Sequence, residues 1–143
     1  MASLRGFAVA VGCLLLAGKV ACAADLIVVI DGARNSNGHV LAAVYADENS
    51  FLNTAMAKAL LRENAAGTVR LVAHDLPPGS YAVSAIHDEN DNGKLDRNFL
   101  GVPIEGFGFS NDAVGNAGPP NFGQARFDFD GKADKTIKFS FNY

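Results

Sequence analysis

The sequence predicts a mainly β protein, an antiparallel β-sandwich of the Ig-like or transthyretin-like kind, with one short helix and a long ordered loop. Three observations carry that expectation. Short stretches of alternating apolar and polar residues recur along the chain, the period-two pattern of half-buried strands. Clusters of Asn, Gly, Pro and Asp punctuate them, as turns require. Cys13 and Cys22 both fall in the first 23 residues, so the remainder must be held by a hydrophobic core instead of disulfides.

Taken in order, Leu26 to Ile30 is a short run rich in Val and Ile, expected as a strand buried on both faces. Asn35-Ser36-Asn37-Gly38 is a turn signal, and Val40 to Ala46 resumes as a second strand. Between Ser50 and Asn64, the residues Phe51, Leu52, Ala55, Met56, Ala59 and Leu60 recur at helical spacing. This predicts one amphipathic helix lying on the sheet, capped by Asn49 or Ser50 and ended by Gly67. Thr68 to His74 alternates with Val69, Leu71 and Ala73 on one face. Leu76-Pro77-Pro78-Gly79-Ser80 turns the chain, and Tyr81 to His87 follows with Tyr81, Val83 and Ala85 on one face. Asp88 to Gln124 shows no clear periodicity. So long a segment in a compact domain is expected to be functional or ordered by something. Two alternating strands close the chain, with Phe127 and Phe129, then Ile137, Phe139, Phe141 and Tyr143, facing in. Six or seven short strands do not suffice for a membrane barrel, whose strands run to about 9–11 residues each.

Residues 1–23 read as a cleavable signal peptide. Arg5 supplies the charge, Phe7 to Ala17 the apolar segment, and Ala21-Cys22-Ala23 the small residues a signal peptidase reads. The apolar run falls short of the roughly 20 residues a spanning helix needs, and Lys19 interrupts it. The expected product is a single domain over 24–143, placed outside the cytoplasm, either periplasmic or secreted, and monomeric. The whole chain carries a formal charge of −3. Cleavage removes Arg5 and Lys19 but no acid, so the domain is more acidic still. Without a basic cluster, nucleic-acid binding is not expected, and no later segment is long and apolar enough to span a membrane.

The most informative stretch is His87-Asp88-Glu89-Asn90-Asp91-Asn92-Gly93-Lys94-Leu95-Asp96. Counted from Asp88, oxygen side chains occupy the first, third and fifth positions (Asp88, Asn90, Asn92). Glycine is sixth and Asp96 ninth, the front half of a calcium-loop pattern. Calcium wants 6–8 oxygen ligands. Asp88, Asn90, Asn92 and Asp96 are the candidate side-chain ligands, and Lys94 would give its backbone carbonyl. The twelfth position is Phe99 in place of a bidentate Glu, and a strand precedes the loop, so this is no EF-hand. Glu105 or Glu89 is the candidate for the missing carboxylate. The same residues suit an Asx-rich turn without metal.

The segment Leu100 to Asn111 places Phe107 and Phe109 among glycines, either to plug the open end of the sandwich or to line a ligand site. The pieces L-P-P-G-S-Y-A-V, H-D-E-N-D-N-G-K-L-D, L-G-V-P-I-E-G-F-G-F-S-N and G-P-P-N-F-G-Q-A-R-F resemble the bacterial family of domains of unknown function 2141 over most of the chain beyond the signal. The resemblance implies a secreted or periplasmic sandwich with no established activity. The acidic loop also resembles those of calcium-stabilised repeats in cell-surface adhesins.

The sequence therefore reads as a binding or structural module whose loop 88–96 holds calcium. Its alternative is a metal-independent site for a glycan, peptide or envelope component on loop 99–111, with Phe107 and Phe109 in contact. A hydrolase built on His87 with Asp88 or Glu105 is a lesser alternative. The chain has no G-x-S-x-G and no H-E-x-x-H, and no enzyme activity is expected. His39 and His74 read as ordinary surface or edge residues.

Overall fold

Alternation decides which residues meet in the core. A computed structural model describes residues 24–56, 60–63 and 66–143. The expected signal peptide lies outside the described residues. Among the described residues there are eight strands: β1 (Leu26–Ala33), β2 (His39–Tyr45), β3 (Leu60–Glu63), β4 (Gly67–Ala73), β5 (Gly79–Asp88), β6 (Gly106–Phe109), β7 (Phe127–Phe129) and β8 (Lys135–Ser140). Among the described residues these strands are accompanied by a four-residue helix, α1 (Phe122–Ala125), and a 3-10 turn at Ser110–Asp112. The strands form two sheets, ordered β4-β1-β8 and β3-β2-β5-β6, with β7 also paired to β5.

One core lies between the sheets. Leu26, Val28 and Ile30 of β1, Val69 and Leu71 of β4, and Ile137 and Phe139 of β8 meet Val40 and Val44 of β2, Tyr81 and Val83 of β5, and Phe127 and Phe129 of β7. The inward residues on β4, β5, β7 and β8 are those the alternation predicts. Each large apolar side chain buried this way contributes roughly 1.5–3 kcal/mol. Ile27 and Val29 are half-buried, so β1 buries one face fully where both were expected.

The expected antiparallel arrangement holds for every pair but one. β8 runs parallel to β1, from Leu26↔Lys135 to Asp31↔Ser140. Between β7 and β8 the chain crosses from one sheet to the other, and so arrives beside β1 heading the same way.

Beyond β8 the chain crosses back to the other sheet. The Phe107 N–H donates to Asn142 O at 2.9 Å, and the Asn142 N–H to Phe107 O at 2.8 Å. Glycine is required on the inner face of β6 for this. A Cβ on Gly106 would stand 2.6 Å from the Tyr143 ring, and one on Gly108 would stand 2.6 Å from Ser140 O.

The helix expected over Ser50–Asn64 is replaced by a single turn and a strand; residues 57–59 and 64–65 lie outside the described residues. The turn closes through Phe51 N–H to Asp47 O and Thr54 N–H to Ser50 O. Leu52 then takes φ +59°, which a helix cannot continue through. β3 instead pairs along the open edge of β2, from Val40↔Glu63 to Ala43↔Leu60. At Leu60–Glu63 tertiary pairing overrides the helical spacing.

The segment 88–124 is also more regular than expected. Phe107 and Phe109 belong to β6, paired with Ile86 and Ser84 of β5. Along its ten residues, β5 accepts β7 at one end and β6 at the other. Ser110 fills the gap between them. Its fully buried hydroxyl accepts from Val83 N–H at 2.9 Å and donates to Ala125 O at 2.5 Å.

Candidate functional site

The side chains the sequence singled out gather at one end of the molecule, around the exit of β5. Adjacent residues on a strand point to opposite faces. His87 therefore follows Tyr81, Val83 and Ala85 into the inner face, while Asp88 turns to the outer one.

His87 is buried and fully engaged. Its Nε2 lies 3.1 Å from Asn37 O and its Nδ1 2.7 Å from the Tyr143 hydroxyl. A carbonyl only accepts, so Nε2 carries a proton, and in the neutral ring Nδ1 accepts from the Tyr143 hydroxyl. The same hydroxyl accepts from the Arg34 N–H at 3.0 Å. Arg34 lies over the Tyr143 ring, 4.4 Å from its centroid, and grips Glu89 with two bonds of 2.5 and 2.8 Å. That grip is the main reason the Glu89 carboxyl sits below its ordinary range, while burial pushes the Tyr143 phenol up. The histidine thus fastens the β1–β2 turn and the C-terminus to β5.

Asp88, Asn90, Asn92 and Asp96 are brought together in one loop. Asp88 is buried; its two oxygens accept from Asn92 N–H at 3.0 Å and Gly93 N–H at 2.7 Å. Asn90 Oδ1 accepts from Asn92 N–H, and Asn92 Oδ1 from Lys94 N–H. Gly93 takes φ +81°, the sharp turn wanted at the sixth position. Both asparagines donate through Nδ2 to the Asp96 carboxylate at 2.6–2.9 Å, which holds it below its usual range, Asn92 contributing most. Glu105, also buried, joins the two ends of the loop by accepting from Glu89 N–H at 2.9 Å and Asp96 N–H at 3.0 Å. The Lys94 side chain is exposed. Among the described residues no three or more of His, Cys, Asp and Glu converge as a group able to hold a metal.

Glu105 and the acidic loop anchor a second, apolar feature. Residues 97–104 form a tight turn in which Gly101 N–H donates to Asn98 O and Asn98 N–H to Val102 O. Asn98 Oδ1 accepts from the N–H groups of both Leu100 and Val102. Arg97 Nη1 donates to Gly101 O across the turn at 2.9 Å, and Arg97 pairs with Pro103. This well-bonded turn holds large apolar side chains in water. Phe99 is 96% exposed and Leu100 71%, with Val102 and Ile104 more than half exposed.

Behind the turn lies a cleft of about 410 Å³, walled by Leu95, Arg97 and residues 100–103 on one side and residues 117–119 on the other. Phe107 and Phe109 form part of its lining and also belong to an aromatic cluster on the outer face of the larger sheet. There Phe51 meets Tyr45, Phe109 and Phe122 with ring centroids 5.3–6.3 Å apart. Phe109 is buried and Phe107 half-buried.

Sequence reasoning passed over Arg97, and it included Leu100, Val102 and Ile104 only as part of the loop 99–111, singling out Phe107 and Phe109 instead. Phe99 was weighed only as a failed twelfth position of the calcium pattern. The available signal was four large apolar residues, at 99, 100, 102 and 104, inside an Asn/Gly/Pro stretch.

Fold and site together define a small two-sheet β protein carrying an apolar cleft beside a self-bonded Asx loop. The chain belongs to the bacterial family described as "Uncharacterized protein conserved in bacteria (DUF2141)", whose model matches residues 28–138. No curated protein and no solved structure matches it. Among the described residues no helix is long and apolar enough to cross a membrane.

Proposed function

We propose that this protein is a non-enzymatic binding module that works outside the cytoplasm and engages an envelope component through the turn 97–104 and the cleft behind it. Its two packed sheets are read as an open sandwich of the Ig-like or transthyretin-like kind. The observation that carries the proposal is Phe99 and Leu100 held in water at the apex of a turn tied by several hydrogen bonds. Ordering a loop to expose such side chains is unfavourable in an isolated domain, and concentrated apolar surface marks interaction sites. The test is retention of the 24–143 protein on bacterial envelope preparations. A Phe99→Asp/Leu100→Asp protein should melt within about 2–4 °C of wild type, because surface changes rarely exceed about 0.5 kcal/mol and each kcal/mol moves the midpoint by about 4–8 °C, yet lose at least tenfold in retention. Equal retention of the two proteins would refute the reading.

A second reading is favoured by the convergence of Asp88, Asn90, Asn92 and Asp96, with glycine turned at the sixth position. Calcium would then be held by their oxygens and the Lys94 carbonyl, with Glu105 as a further carboxylate. The asparagine amides would have to turn their oxygens inward, giving up their bonds to Asp96. Calcium at about 100 times its dissociation constant would stabilise by roughly 2.7 kcal/mol. Melting in EDTA, millimolar calcium and millimolar magnesium should then show a calcium-selective rise of about 10 °C. Coincident melts would discard the metal.

A further inference from the structure

Resting on the reading of the cleft as a binding site, we propose that its ligand is a single-chain anionic amphiphile, with the alkyl chain in the cleft and the acidic head on Arg97. The lining is mainly apolar, from Leu95, Leu100, Val102, Phe107 and Phe109, and the one charged residue in it is Arg97. Sites for small ligands are of this kind, a few hundred cubic ångströms of apolar wall with few placed polar groups, and about 410 Å³ lies within that range.

The exposed Arg97 guanidinium is tied to its own turn at one nitrogen. Its Nη1 donates to Gly101 O at 2.9 Å, which engages one of five N–H groups. A planar guanidinium suits a carboxylate or phosphate head, since it can donate two parallel bonds to it. Charge complementarity therefore selects an anionic head in a domain whose own net charge is negative. The turn that bears Arg97 contains no acid between Arg97 and Ile104. Phe99 and Leu100 at the open side would extend the apolar surface along a chain too long for the cleft.

The acyl chain makes affinity climb with length. Each buried methylene is worth about 0.8 kcal/mol, close to a fourfold gain, until the cleft is full. The head makes the acid bind more tightly than the alcohol of equal length, and makes that preference depend on Arg97.

The experiment is calorimetric titration of the 24–143 protein with octanoate, decanoate and dodecanoate below their micelle concentrations. Decanol, and vesicles of phosphatidylcholine with or without phosphatidylglycerol, serve as comparisons. Expected are a rise of about threefold or more per methylene, a tenfold preference for decanoate over decanol, and loss of that preference in Arg97→Gln. Leu100→Asp should weaken acid and alcohol alike. A decanoate affinity unchanged in Arg97→Gln would overturn the assignment of the head. Binding to phosphatidylglycerol vesicles without uptake of free acids would overturn it in favour of a bilayer surface. If no amphiphile binds while the envelope still retains wild type and releases Phe99→Asp/Leu100→Asp, the amphiphile is wrong and the binding face stands. If that retention difference is also missing, both fall.

Discussion

Gly38→Ala is expected to destabilise the protein by about 4 kcal/mol or more, read as a fall in the urea midpoint with an unchanged slope. Gly38 ends the β1–β2 turn at φ +58°, and a Cβ built there would stand 1.8 Å from Asp88 O and 2.8 Å from the Asp88 and Glu89 carbonyl carbons. These atoms are backbone, so no rotamer relieves the overlap. A left-handed conformation costs a non-glycine residue roughly 1–2 kcal/mol, and overpacking a tight contact adds about 1–3 kcal/mol or more. The strand cannot simply retreat, because β2 and β5 are paired from His39↔Asp88 to Tyr45↔Ala82. The turn is also tied at Asn37 O by His87. A loss under 1 kcal/mol would show that the turn does not lie on β5 as described.

The same contact shows what the sequence made legible. Asn35-Ser36-Asn37-Gly38 announced a turn through its residue types alone, and Gly38 does adopt the positive φ such residues tolerate. What it could not announce was the reason glycine is obligatory, since that comes from a strand some fifty positions later. The inward sets on β4, β5, β7 and β8 were readable because burial on one face leaves a period-two trace. β6 was not, because its inner positions are Gly106 and Gly108. Glycine is depleted in strands, and here it serves the crossing of the C-terminal residues rather than the ladder. Nor was β3, whose sequence carries helical spacing and whose pairing partner lies along the edge of β2. The parallel entry of β8 beside β1 left no local trace at all.

For the site, residue types were more informative than ligand patterns. The Asp/Asn spacing brought Asp88, Asn90, Asn92 and Asp96 into one loop, and the structure accounts for each of their side-chain oxygens through hydrogen bonds. His87, grouped in sequence with Asp88 and Glu105, takes its partners from Asn37 and Tyr143, whereas the two carboxylates meet backbone N–H groups of the loop. The resemblance motifs acquire a similar explanation. Ser110 and Asn111 bond to the backbone around α1 and β7, and Asn121 and Gln124 form a reciprocal cap on α1. Those motif residues close the gap between β6 and β7.

Asp88→Ala is the second large effect, expected at about 3–5 kcal/mol of lost stability and a midpoint roughly 10 °C or more lower. Asp88 is 1% exposed, and its carboxylate satisfies two backbone N–H groups, those of Asn92 and Gly93. Hydrogen bonds to a charged group contribute about 1.5–3 kcal/mol each, and deleting the acceptor leaves both donors unsatisfied. The damage should travel beyond the loop. With Asp96 no longer held in register, the Asp96 N–H to Glu105 and the Ile104 N–H to Asp96 O bonds lose their geometry, and these anchor the turn that carries Phe99 and Leu100. Amide exchange should therefore rise from Asn90 to Ile104 and stay slow in β1 and β4, whose pairing does not involve the loop. Asp88→Asn separates shape from charge. It keeps one acceptor oxygen and should recover part of the stability, leaving one of the two N–H groups facing an amide nitrogen. If Asp88→Ala melted like wild type in EDTA, the loop would not depend on this carboxylate. The rigid turn it is taken to support would then need another explanation.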